Sequence, residues 1–454
     1  MSEPAAQLSE AKKYDILLVS QSNALDERIH FVADAFGYNH IKLNTADSAS
    51  DSLENVPVRF IVLDSSSAEN QNDVVGHLQV LRYMFPASYI LVVFPKRFDK
   101  DTLQWIRKSG ANAVMSEGEF LEHGRFDFFV SQYVGTDYVP VKHGDFKLGS
   151  RIELPLFYFM SANRKYFPIV GAQSTLDESR LDKIKKIGDV YIRRADVDAY
   201  QRYLQANEDQ SAKGLIRRCR VQFNQFRQAY LELVNHLTEQ AEGSTYEDGK
   251  KRLEECQRLS SDLITSMMSA GSVFDVISQS VDGDFNTMDR APERAAMVGF
   301  FSVMGDIGNS EKAILAALLA DVGMLTMPYG FLHQLRERGL DFKDPKFKEQ
   351  FESHPKLSLN CAAQKKIQLD PVVRDAIMYS HSRLDERGFP IVRPEKIGVE
   401  AQLVHFVQLL DDHCMVHWGK PRPIYNEELK KLLKEHHTFG VLSPSVIQAL
   451  KGIC

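Results

Sequence analysis

Short apolar runs punctuate the first part of the chain at Tyr14–Ser20 (YDILLVS), Arg59–Asp64 (RFIVLD), Tyr89–Phe94 (YILVVF) and Ala113–Met115 (AVM). Between them lie stretches with helical spacing, such as Leu25–Phe36 and Asp101–Ser109. Apolar runs alternating with helices predict a parallel sheet covered on both faces. Ligand chemistry in such sheets sits at the carboxyl ends of the strands. Here those ends are Ser20-Gln21, Asp64, Phe94-Pro95 and Ser116-Glu117.

The pattern then changes. Phe146–Phe159 and Asp189–Ile192 are rich in β-branched and aromatic residues, and Leu176–Ile187 between them has helical spacing ending at Gly188. A small α+β module over residues 140–205 is expected. Its basic residues (Arg151, Arg164, Lys165, Arg180, Lys183, Lys185 and Lys186) read as a solvated charged face. From Ile216 onward the apolar positions are Cys219, Phe223, Phe226, Tyr230, Leu233 and Leu237, in alternating steps of three and four. Such an a/d seam must be buried against another helix. A break at Glu242-Gly243-Ser244 precedes a second helix with Leu253, Cys256, Leu259, Leu263 and Met267 on one face. An intrachain hairpin and a parallel dimer would each bury these faces. A homodimer through residues 207–270 is the expected assembly.

The remainder, residues 271–454, has helical spacing almost throughout. Ala313–Leu319 (AILAALL) predicts a buried helix leading straight into Asp321. Further on come His354, His381 and a Gly388-Phe389-Pro390 turn. Imidazoles and a carboxylate projecting from several helices of an all-α bundle suit an ion of the Fe, Mn or Zn type.

Composition acts mainly by exclusion. With 454 residues the chain has room for about three domains of ordinary size. Its 55 Lys+Arg against 61 Asp+Glu give a net charge of −6, which argues against a nucleic-acid-coating protein. No apolar run reaches the roughly 18–20 residues of a membrane span, and the N-terminus lacks a signal-peptide core. Five widely spaced cysteines form no C-x-x-C pair, so a reducing cytoplasm is the expected location.

Residues 12–135 resemble a response-regulator receiver domain in their strand–helix rhythm, in Asp64 at a strand end and in Gly110-Ala111 before the last strand. Receivers hold Mg²⁺ with an acidic pair after the first strand, where this chain has Ser20 and Gln21. The usual lysine falls near Glu117 and the usual hydroxyl residue near Phe94. Without a metal and a cation to offset phosphoryl charge, Asp64 resembles a phosphoacceptor in position alone. The resemblance implies a receiver-shaped interaction module.

Residues 271–454 resemble an HD-GYP domain, the cyclic-di-GMP phosphodiesterase branch of the HD hydrolases. The HD-type motif corresponds to Leu318-Leu319-Ala320-Asp321-Val322-Gly323-Met324, and the GYP-type motif to Ser380-His381 through Gly388-Phe389-Pro390. His354 matches the intermediate metal-binding histidine, and Arg422-Pro423-Ile424-Tyr425 the late motif. The departures are specific. Ala320 stands for the HD histidine, Met324 for the lysine, Ser380 for one of two paired histidines and Phe389 for the tyrosine. The upstream helix is matched to Phe285 and Asp289. The late metal-binding aspartate aligns with Gln408, and Asp411 and Asp412 reach the site only with a one-turn shift.

The resemblance leaves Asp321, His354 and His381, with Asp289 as a fourth, as residual ligands for one Fe, Mn or Zn ion at most. Hydrolysis at a bi- or trinuclear centre needs bridging ligands and a metal-activated hydroxide. The expected function is therefore a catalytically inactive scaffold in bacterial signalling that binds protein partners. Cyclic-di-GMP is a candidate ligand at Arg383, Arg387, Gly388, Phe389, Pro390, Lys420 and Arg422. The alternative is a weakly active metal-dependent cyclic-di-GMP phosphodiesterase.

Overall fold

The computed structural model describes residues 14–53, 56–67, 71–95, 100–134, 138–160, 165–187, 189–193, 196–207, 212–239, 246–269, 290–338, 343–413, 425–435 and 440–453. The chain divides into two compact units. One comprises Met1–Gly135 with Thr238–Thr245 and Leu325–Gly339; the other comprises Thr136–Leu237, Tyr246–Met324 and Leu340–Cys454.

The first unit is built on five parallel strands: β1 (Tyr14–Val19), β2 (His40–Leu43), β3 (Val58–Asp64), β4 (Tyr89–Phe94) and β5 (Ala113–Ser116). Their order is β2-β1-β3-β4-β5, that of a doubly wound α/β sheet. Leu17, Val19, Ile61, Leu63, Ile90 and Val92 are buried on one side, against Leu78 and Leu81 of the helix Gln71–Met84. The strand β2 was not foreseen. Its sequence, HIKL, alternates and is half-buried along its length, as suits an edge position.

In the second unit a four-stranded antiparallel sheet has the order β6-β11-β8-β9, from Tyr138–Lys142 (β6), Asp189–Arg193 (β11), Leu156–Met160 (β8) and Lys165–Val170 (β9). A two-residue pair, Arg151–Ile152 (β7) with Ser174–Thr175 (β10), lies outside it. Val190, Ile192, Leu156 and Val170 pack with Leu181 and Ile184 of the helix Glu178–Ile187 and with Tyr200 and Tyr203 of Val197–Ala206.

The seam helix spans Ala212–Thr238 and its successor Tyr246–Ser269. Cys219, Phe223, Phe226, Tyr230, Leu233 and Leu237 are all buried within the single chain. Arg252 Nη1 donates to Glu232 Oε2 at 2.6 Å, and the His236 ring lies where a side chain on Gly249 would stand. The second helix therefore returns along the first. The exposed apolar stripe on which the dimer expectation rested is covered without a second copy.

The C-terminal region is helical. Ala291–Gly305 is buried around almost its entire circumference, which marks a central helix. Ser310–Leu319, Val399–His413 and Pro444–Ile453 pack against it, Pro371–Met378 packs on the first two of these, and Pro345–Gln364 packs on Pro371–Met378. Their starts are written locally. Asn309 accepts from the Lys312 amide, and Asp344 and Asp370 cap helices whose first residue is proline.

Candidate functional site

Asp321 follows directly from the buried helix Ser310–Leu319, in the tight turn that leads into Val322–Thr326. A side chain on Gly323 would collide with the His354 carbonyl and the Ser358 amide, so the turn presses against the helix Pro345–Gln364 only because residue 323 is glycine. Ser358 Oγ fastens this contact. It donates to the Ala320 carbonyl at 2.7 Å and accepts from the Gly323 amide at 2.8 Å.

His354 is positioned by the residue after it. Pro355 lies inside the helix and has no N–H to give the Phe351 carbonyl four residues back. His354 Nδ1 donates to that carbonyl instead. This fixes the ring and directs Nε2 inward, 3.3 Å from Asp321 Oδ1 and 3.2 Å from His381 Nε2.

His381 is held by the turn after Pro371–Met378. Its carbonyl accepts from the Phe389 amide at 3.0 Å, and its ring stacks on Phe389. A side chain on Gly388 would strike the His381 carbonyl, which accounts for the glycine. Burial, then the neighbouring His354, His405 and Arg294, push His381 well below its ordinary value. It is a neutral imidazole at neutral pH.

Asp321, His354 and His381 thus bring one ligand atom each to a common point, all within 4.8 Å of one another. Asp289, the expected fourth ligand, lies outside the described residues, as do Phe285, Lys420 and Arg422. Positions 320, 324 and 380 present no side-chain ligand to this point. Ala320 and Met324 are buried and apolar, and Ser380 Oγ turns back to the Ile377 carbonyl at 2.9 Å.

A second layer was not foreseen. Arg290 and Arg294, one helical turn apart on the central helix, reach the same centre. Arg294 Nη1 donates to Asp321 Oδ2 at 2.7 Å and Nε to Asp411 Oδ2 at 2.8 Å, while Nη2 lies 3.5 Å from Asp412 Oδ1. Arg290 pairs with the other Asp411 oxygen. Asp411 therefore joins the site through arginine, in its present register. Gln408 Nε2 lies 3.5 Å from Asp321 Oδ1. Burial acts to raise the Asp321 carboxyl, but its hydrogen bond with His354 and the charge of Arg294 outweigh it and hold it below the usual range.

The donor chemistry of Asp321, His354 and His381 suits a single borderline transition ion. It does not fit the two- or three-metal centre implied for an HD-GYP hydrolase. Among the described residues three ligand groups converge, too few to bridge ions, and the outer oxygen of Asp321 already faces a guanidinium.

The expected ligand mouth has a different character. Arg383 is buried, and its Nε and Nη2 donate to the two oxygens of Asp385 at 2.8 and 2.7 Å. Arg387 is exposed, and its backbone amide donates to Asp385 Oδ1. Phe389 and Pro390 are half-buried.

At the end of β3, Asp64 is buried. Ser20 Oγ donates to its Oδ2 at 2.6 Å, while the Ser66 amide and hydroxyl donate to Oδ1 at 2.8 and 2.6 Å. Both carboxylate oxygens are engaged by neutral donors.

No protein-family model matches the chain, and no curated protein matches it. Among solved structures it is similar to an HDG"Y"P protein from Bdellovibrio bacteriovorus, at 18% identity and a TM-score of 0.41, over 70% of this chain and 99% of that one. It is also similar to a response regulator from Thermotoga maritima, at 16% identity and a TM-score of 0.23, over 27% of this chain and 94% of that one.

Proposed function

We propose that this protein is a non-hydrolytic regulatory member of cyclic-di-GMP signalling, with an HD-GYP-like helical region that binds partners without turning over a cyclic dinucleotide. The observation that carries the reading is the composition of the centre. Asp321, His354 and His381 are retained, while the neighbouring positions are apolar or bonded back into their own helix. In-line attack on phosphorus needs a metal-activated hydroxide and cations facing the phosphoryl oxygens. Among the described residues the centre supplies no bridging ligand set, and position 324 is methionine instead of lysine.

The link to cyclic-di-GMP rests on the ordered resemblance of the motifs around Asp321, His354, His381 and Gly388-Phe389-Pro390. The receiver-like region fits the same role, because Asp64 is engaged by Ser20 and Ser66 and has no acidic neighbour at position 20 or 21. It serves as an interaction module.

The test is incubation of the purified full chain with cyclic-di-GMP and added Mn²⁺ or Fe²⁺, followed by chromatography of the products. No linear dinucleotide or GMP above a blank is expected. The convergence of three ligand atoms favours one other reading, weak metal-dependent phosphodiesterase activity, and metal-dependent turnover abolished by His354→Ala would establish it in place of ours. Calorimetry with cyclic-di-GMP then measures binding independently of cleavage.

A further inference from the structure

We propose that Arg294 is the resident cation of this centre, so that the protein folds around Asp321, Asp411 and Asp412 with a guanidinium and no divalent ion. The inference deepens the non-hydrolytic reading and rests on it.

Three observations converge on the role. Arg294 is buried, and its three nitrogens address three different carboxylates, Asp411, Asp321 and Asp412. A buried charge persists only where it is paired, and here one side chain links the turn at Asp321 to the helix Val399–His413 that carries Asp411 and Asp412. Secondly, the fully buried carboxylates are matched. Asp321 and Asp411 face Arg294 and Arg290, and the neighbour that completes the shell, Gln408, is a neutral amide. Little negative charge is left for an incoming ion. Thirdly, the charge is permanent. A lysine or histidine can discharge to admit a metal, whereas a guanidinium stays protonated throughout the accessible pH range.

His354 Nδ1 is committed to the Phe351 carbonyl, and its Nε2 lies 3.3 Å from Asp321 Oδ1 and 3.2 Å from His381 Nε2, so both imidazoles are packed against groups of the protein itself.

The experiment uses the full chain, purified without chelator, and measures metal content by mass spectrometry and Mn²⁺ and Zn²⁺ binding by calorimetry. Expected for the native chain are well under one metal ion per chain, a melting temperature unchanged by chelator or added ion, and no saturable binding heat. Arg294→Gln removes the charge and leaves Asp321 without its guanidinium beside His354 and His381, so metal affinity should rise at least ~10-fold, about 1.4 kcal/mol. Arg294→Lys keeps a charge at neutral pH and should stay near the native result there, gaining metal affinity only as the pH is raised. Should Arg294→Gln not fold, the native chain still decides. About one ion per native chain, lost on His354→Ala, overturns the proposal, and so does a folded Arg294→Gln chain with no gain in metal binding. Metal retained without cyclic-di-GMP cleavage removes the role of Arg294 but leaves the non-hydrolytic reading standing. Cleavage by the native chain removes that reading.

Discussion

His381 lies flat against Phe389, with ring centroids 4.6 Å apart and planes inclined by 12°. Phe351 meets both rings edge-on, at 5.4 Å and 5.5 Å. A ring at position 389 thus helps hold an imidazole in place, and a hydroxyl is not needed for that task. Phe389→Ala should lower the stability of the helical region by about 1–3 kcal/mol, since the ring is half-buried. Phe389→Tyr should be nearly neutral. Thermal melts of the two variants against the native chain check both.

Pro355→Ala restores an N–H opposite the Phe351 carbonyl. The helix gains a hydrogen bond, and His354 Nδ1 acquires a competitor for its acceptor. The expected outcome is unchanged or raised thermal stability with a shifted His354 tautomer balance. Nitrogen-15 spectra of the histidine side chains would show it. A His354 signal identical to the native one rejects the positioning role of Pro355.

The Arg383 guanidinium, donating to both oxygens of Asp385, holds that carboxyl down at about 2. A carboxylate depressed in the folded state contributes stability that is present above its unfolded value of roughly 3.9 and is lost as pH falls through the folded value. The residue is largely exposed, so solvent screening limits the contribution to about 1 kcal/mol. Asp385→Asn should be less stable than the native chain at pH 6, and the gap should close between about pH 4 and pH 2. Denaturant titrations across that range measure it.

Burial raises the thiols of Cys219 to about 11 and Cys256 to about 12. Cys361 is buried as well. At pH 8 the first two carry almost no thiolate, the reactive form. Brief treatment with iodoacetamide should leave all three unmodified in the native chain and label them in guanidinium chloride, as read by peptide mass spectrometry. Rapid native labelling of Cys256 would contradict the packed seam.

Acetyl phosphate with Mg²⁺ should leave no phosphoryl adduct on Asp64, as judged by intact mass. Ser20→Ala removes the donor to Asp64 Oδ2 and should cost about 1–3 kcal/mol, the penalty of a buried acceptor left without its partner. A stable adduct would restore a phosphoacceptor role to this unit.

Much of this architecture was legible because buried strands and helix caps are written in contiguous residues. YDILLV, RFIVLD and YILVVF mark strands buried on both faces, whereas HIKL at the sheet edge carries no such run. Asp321, His354 and His381 were legible as an ordered set of motifs. Arg290 and Arg294 were not, since their role depends on Asp411, 121 and 117 residues away, and on Asp321, 27 residues from Arg294. A local signal did exist. Two arginines in the opening turn of a mostly apolar helix, RAPERAAMVGFF, must find carboxylates if that helix is central. The seam of Phe223, Phe226 and Tyr230 showed that a face is covered, but spacing alone does not distinguish a second copy from the same chain.

The Gly323 contact limits how this centre can vary. Even one added carbon at position 323 meets backbone atoms of His354 and Ser358 instead of a side chain that can swing aside. The spacing between the Asp321 turn and the His354 helix therefore cannot be adjusted by small steps. A lineage that lost this glycine would lose the juxtaposition of Asp321 and His354 in a single event, whereas exchanges at positions 320, 324 and 380 leave the backbone frame intact. The frame therefore does not depend on which side chains line the centre, and its presence alone is no record of activity.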